Sequence, residues 1–134
     1  MYKLGNIILV GALLLGAALA QAEDETAQPK AQLFAISAES EEVTAEISKL
    51  PGIAPYYHFY DEHGAAVEVV PNPFLDKEYG IGPAAAAMLA DKGVTVLIGR
   101  KRPGPNMMDV LDAREVRMVR RIGTVEDVVK ELKE

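Results

Sequence analysis

The first run of apolar residues that could enter a folded core, Leu33 to Ile36, is short and is bounded by the acidic stretch Glu39 to Glu42. That predicts a buried first strand followed by a solvated loop. Leu50-Pro51-Gly52 breaks the chain ahead of Tyr56 to Tyr60, an aromatic run with strong strand preference. Asp61-Glu62-His63-Gly64 then reads as a hairpin turn, with Gly64 supplying a positive φ angle, and Ala66 to Val70 returns as the next strand. Pro71-Asn72-Pro73 stops it.

The apolar period changes in the second half. Gly82-Pro83 followed by an alanine-rich stretch predicts a helix with Pro83 at its first position and Gly93 as a left-handed cap. Val94 to Ile98 is continuously apolar, as expected of a central strand covered on both faces. A cationic loop over residues 99–105 leads to a helix that Asn106 can cap, and Val116 to Ile122 reads as the last strand. Thr124 and Asp127 then form a capping pair for a terminal helix with Val125, Val128, Val129 and Leu132 at helical spacing. The order is β-β-β-α-β-α-β-α. Strands joined by short connections pair antiparallel and helix-linked strands add in parallel, which gives a mixed five-stranded sheet with three helices.

Composition adds an address. Residues 1–22 carry an early cation at Lys3, an apolar run from Ile7 to Ala20, and small residues at Ala18, Ala20 and Ala22, the tripartite pattern of a cleavable signal peptide. Cleavage after Ala20 or Ala22 would release a periplasmic or secreted protein with no stable membrane insertion, because the apolar run is shorter than the roughly 20 residues a spanning helix needs. Residues 23–32 are polar and aperiodic and read as a disordered lead-in, so 33–134 form the one domain. The chain has no cysteine, which excludes disulfides and thiolate ligation.

Charge is unevenly spread. Residues 23–90 hold three Lys/Arg against twelve Asp/Glu, whereas residues 91–134 hold ten against eight. A local basic patch on a protein of net charge -6 suits a small anionic ligand or an acidic protein partner. It does not suit nucleic acid, which the rest of the surface would repel.

The phrases PYYHFYDEHG, VEVVPNPF, GIGPAAAAMLADKGVTVLIG, PGPNMMDVLDAREV and IGTVEDVVKEL, in that order, resemble the nitrogenase iron-molybdenum-cofactor biosynthesis family, the NifX-like domain. The resemblance spans 33–134 and implies a ribonuclease-H-like α/β fold. It also implies a carrier for a metal or metal-sulfur cofactor (molybdenum, iron or copper) rather than an enzyme.

Two groups of residues could carry that chemistry. Arg100, Lys101, Arg102, Gly104 and Asn106 follow the carboxyl end of a central parallel strand and precede a helix. Open α/β sheets place ligands there, and helix amides attract anions there. The plain alternative is a solvated charged loop. His58, His63 and Met107 are the candidate metal ligands, a chemistry suited to copper, against the alternatives of solvated or core histidines and a gap-filling methionine. Consecutive helical residues point about 100° apart, so at most one of Met107 and Met108 is expected deep in the core. Gly80 to Pro83 could add backbone donors, although its glycines more simply serve a turn. No nucleophile-base constellation and no dinucleotide fingerprint is legible.

Overall fold

The computed structural model describes residues 31–134, so the leader expected over 1–22 and nearly all of the lead-in lie outside the described residues. Five strands, β1 (Leu33–Ala38), β2 (Tyr56–Asp61), β3 (Ala66–Pro71), β4 (Val96–Gly99) and β5 (Arg117–Arg120), form one sheet in the order β3-β2-β1-β4-β5. The hairpin-linked strands pair antiparallel, while β1, β4 and β5 run parallel. The helices are α1 (Ile81–Asp91), α2 (Pro105–Ala113) and α3 (Val125–Lys133), and a single 3-10 turn covers Pro51–Ile53. This is the mixed α/β architecture and element order expected from the apolar pattern.

Alternation along the strands sorts the core into two layers. Ala35, Tyr57, Phe59 and Leu97 face α1 and α2, where they pack with Leu89, Met107, Met108 and Leu111. Ile36, Tyr60, Val96 and Ile98 face α3 and pack with Val125 and Val128. Both methionines of the pair are buried, against the expectation of one. Residue 107 meets the glycines of neighbouring segments and residue 108 meets the core, so two directions from one helix both end in protein.

Several boundaries shift for identifiable reasons. β1 runs on to Ala38 because the buried Ser37 hydroxyl donates to the Ile98 carbonyl at 2.7 Å, which lets a polar residue stay in the sheet. The last strand stops at Arg120 and Ile122 is 80% exposed, since the chain turns away to start α3. α1 begins at Ile81 with Gly80 in the left-handed region, which makes Pro83 the third helical residue rather than the first. α2 begins at Pro105 behind Gly104, so Asn106 is the second helical residue and caps nothing. Pro105 supplies the fixed φ that starts the helix.

The hairpin turn and the final helix follow expectation. Gly64 has φ 83°, and the Asp61 carboxylate accepts the amides of His63 (2.8 Å) and Ala65 (2.9 Å), which holds its pKa below the usual value. Gly93 closes α1 with φ 94°. At α3, Thr124 and Asp127 form a reciprocal capping box. The remaining first-turn amides are taken by the preceding loop, since Val125 N–H donates to Ala45 O and Glu126 N–H to Val43 O. The outer strands differ from the inner ones. β3 pairs through an irregularity at Phe59/Tyr60 and ends in Pro71, while β5 is four residues long with arginine at each end.

Thr124→Ala should lower unfolding free energy by about 1 kcal/mol in urea titrations at neutral pH, the usual loss for a helix cap. The Asp127 carboxyl is held below its ordinary value of 3.8, chiefly by the Thr124 amide and hydroxyl. Its contribution is therefore present at neutral pH and disappears as pH falls through the folded-state value. The stability difference between the protein and Asp127→Asn should accordingly shrink when the titration is repeated below pH 3.8.

Candidate functional site

The carboxyl ends of β1 and β4 open onto a cleft of about 260 Å³, bounded by the turn at Leu50, Gly52 and Ile53, the start of α1 at Gly82 and Pro83, and the segment Pro103 to Met107. The approach of its walls depends on missing side chains. A Cβ on Gly52 would lie 2.9 Å from Met107 Sδ and 3.0 Å from the Gly82 Cα, and one on Gly82 would lie 3.2 Å from Met107 Cβ. The Met107 side chain is thus held between two glycine backbones as part of the cleft floor.

Two helices start at this cleft, and neither start has a side-chain cap. In α1 the ladder begins with Ala84 N–H to Gly80 O, which leaves the Ile81 and Gly82 amides without an intrahelical acceptor. In α2 it begins with Met108 N–H to Gly104 O, which leaves those of Asn106 and Met107. Both positive dipole ends therefore meet an open cleft whose side chains are mainly apolar and offer no competing carboxylate.

Of the loop residues singled out in the sequence, Gly104 and Asn106 line this cleft. Lys101 and Arg102 are exposed on the segment leading to it. Arg100 turns to the other side, into a groove with Glu46, Ile122, Gly123 and Thr124, and pairs with Glu46 at 3.6 Å. Both partners of that pair are largely exposed, so it is worth at most about 1 kcal/mol and can be exchanged for another anion. The loop is anchored by its backbone, through Arg100 N–H to Ser48 O and Lys101 N–H to Lys49 O.

The three candidate metal ligands do not meet. Met107 lies on the α1/α2 side of the sheet, whereas His58 shares the opposite side with Ile36 and is fully buried. His58 Nε2 lies 2.8 Å from Ser40 O, and a carbonyl only accepts, so Nε2 is the donor, while Nδ1 is buried without a hydrogen-bond partner. His63 sits on the β2–β3 turn, at the far end of the sheet from the cleft, with its side chain 84% exposed. Among the described residues no three His, Asp or Glu side chains gather around a point that could hold a metal ion.

A larger groove, about 450 Å³, lies between the β2–β3 turn and α3, lined by residues including Val43, Tyr60, His63 and Val129. No uncapped helix start opens into it, and the start of α3 has its amides satisfied internally. The smaller cleft is the better candidate on chemistry. Sequence reasoning found its α2 side through the loop position and noted Gly80 to Pro83 as a source of donors. It missed Leu50, Gly52 and Ile53, which read only as a chain break.

Comparison with known proteins agrees with this architecture. No curated protein matches the sequence significantly. Among solved structures, the apo form of the orange protein from Desulfovibrio gigas superposes with a TM-score of 0.68 at 26% identity, over 75% of this chain and 85% of that one. A NifB-type protein from Thermotoga, solved by NMR and assigned to the DUF35 family, gives 0.63 at 31% identity, over 74% and 84%. PH0822 shares the fold, with a TM-score of 0.63 at 23% identity. Residues 32–134 match the model of the dinitrogenase iron-molybdenum cofactor family, and the chain belongs to that family.

Proposed function

We propose that this protein binds or carries, without catalysing a reaction, an anionic metal-sulfur cargo related to the iron-molybdenum cofactor. The cargo's seat is the cleft between the starts of α1 and α2. The observation that carries this reading is the convergence of two uncapped helix starts on one mainly apolar cavity. Each start favours an anion by roughly 0.3–1 kcal/mol at an exposed site, rising to about 2 kcal/mol when partly buried. Lys101 and Arg102 on the approach, and Arg100 on release from Glu46, add attraction at longer range. A thioether floor at Met107 suits a soft, weakly hydrated sulfur surface better than a hard oxyanion. The proposal includes export to the periplasm or beyond, supported by the leader pattern of residues 1–22.

A second reading, a protein-interaction module without cargo, is favoured by a different observation. Lys49, Lys101, Arg102 and Arg120 are exposed and have no ion-pair partner among the described residues, and Leu50, Ile53 and Ile122 are exposed at the same end of the sheet. An acidic partner captured through those cations would be insensitive to chelators and lost on reversing the charges of residues 100–102.

Titration with tetrathiomolybdate tests the first reading. Binding should weaken as salt is raised. Arg100→Ala/Arg102→Ala should lower affinity only about two- to threefold, as two exposed charges acting at longer range rather than by contact, while His63→Ala leaves it unchanged. Protein that binds neither tetrathiomolybdate nor molybdate, and is purified free of metal from its native compartment, would refute it.

Gly52→Ala should act on the cleft directly. The added methyl meets Gly82 backbone, which has no side chain to yield, so the variant should lose about 1–3 kcal/mol in urea unfolding and bind the same probe more weakly. Wild-type affinity in a folded Gly52→Ala protein would place the ligand elsewhere.

A further inference from the structure

One wall of the cleft is a turn of main chain, residues 50–54, and a turn can present carbonyl oxygens to a cavity as readily as amides. Carbonyl lone pairs aimed inward would repel an anion and oppose the two helix starts. Three carbonyls of this turn are instead engaged by two buried side chains. The Tyr57 hydroxyl donates to Pro51 O at 2.5 Å. The Asn72 side-chain amide donates to Ala54 O at 3.0 Å and Gly52 O at 3.3 Å, with the Tyr57 hydroxyl oxygen 3.4 Å away.

The clamp is itself fixed. Asn72 Oδ1 accepts the Phe74 amide at 3.0 Å and the Asn72 amide donates to Pro55 O at 2.9 Å, so the side chain that grips the turn has no freedom to rotate. Burial pushes the Tyr57 hydroxyl pKa up, which keeps it a protonated donor. Neither residue lines the cleft; one comes from β2 and the other from just beyond β3, behind the turn as the cavity sees it. An asparagine in this position has its hydrogen-bonding capacity largely used on main chain, the arrangement expected of a device that fixes backbone orientation.

We propose that Asn72 and Tyr57 are positioning residues that, by engaging the carbonyl oxygens of Pro51, Gly52 and Ala54, fix the orientation of the turn and keep the carbonyl of its cleft-lining Gly52 out of the cleft, so that the free amides of the two helix starts set a preference for anions. The proposal rests on the reading of the cleft as the ligand site. Loss of either donor frees a carbonyl to seek another partner, and the open side is the cavity.

The test compares the full chain carrying Tyr57→Phe, which keeps the ring and removes one donor, or Asn72→Ala, with Val128→Ala as a destabilised control in the layer beneath α3. Two probes are used: tetrathiomolybdate by titration, and perchlorate by the amide chemical shifts of Gly82 and Met107. Affinity for both probes should fall roughly fivefold in Tyr57→Phe, the ratio that goes with one net hydrogen bond, and further in Asn72→Ala, with Val128→Ala unchanged. Amide exchange at Ile53, which donates to Leu50 O within the turn, should accelerate beyond the control in the two clamp variants only. If tetrathiomolybdate fails to bind while perchlorate binds and weakens as stated, the carrier reading falls and the positioning role stands. The positioning role is overturned if perchlorate moves neither amide of the unmodified protein, if both clamp variants bind it with full affinity, or if Val128→Ala weakens it as much.

Discussion

At the carboxyl end of the sheet, Pro51 lies directly against Gly99. A Cβ on Gly99 would stand 3.0 Å from the Pro51 ring and 3.1 Å from the Ser37 hydroxyl, so β1, β4 and the turn approach one another through a residue that has no side chain. Ser37 completes the contact by donating to the Ile98 carbonyl beside it. Because interiors are close-packed, a displacement of even one methyl group here would be transmitted to all three segments. The cleft inherits its dimensions from this point, since the turn that rests on Gly99 is also the wall facing Met107 and Gly82.

The three helix starts divide into two kinds, and the division follows from what precedes each one. Thr124 supplies a hydroxyl and the loop at Val43 and Ala45 supplies carbonyls, so α3 is complete within the protein and serves to cover one face. Gly80 and Gly104 supply neither. A glycine before a helix permits the backbone to turn tightly but leaves the first amides for something outside the chain. Two such starts on the same side of the sheet place unspent hydrogen-bonding capacity where the parallel strands end, which is where open α/β sheets concentrate it.

The sheet, its helices and most of its order were legible because they rest on local periodicity. Val96 to Ile98 could hardly be anything but a covered strand, and Thr124 with Asp127 announces a helix in four residues. The Gly104 and Asn106 end of the cleft was legible for a topological reason, its place after a central strand. The other wall was not. Leu50-Pro51-Gly52 carries the signature of a break, and what gives it a role is contact with residues 82, 99 and 107, far away in sequence. Asn72 reads as a stop between two prolines for the same reason: its main-chain partners, the carbonyls of Ala54 and Gly52, lie 18 and 20 residues back and leave no mark on composition. The histidines show the converse. Five residues apart, they looked capable of meeting, but strand geometry sends His58 into the interior beneath Ser40 and leaves His63 on the turn.

The outer strands carry a consequence of a different kind. A five-stranded open sheet has two rows of unpaired backbone groups, and such rows invite polymerisation by strand addition. On one side β5 offers only four residues with Arg117 and Arg120 at its ends, so an incoming copy would bring like charges together. On the other, the irregularity at Phe59/Tyr60 disturbs the ladder beside β3 and Pro71 ends it without a donor. A protein without disulfides to lock its fold thus has both margins of its sheet made poor templates, which guards the folded sheet against growth by strand addition.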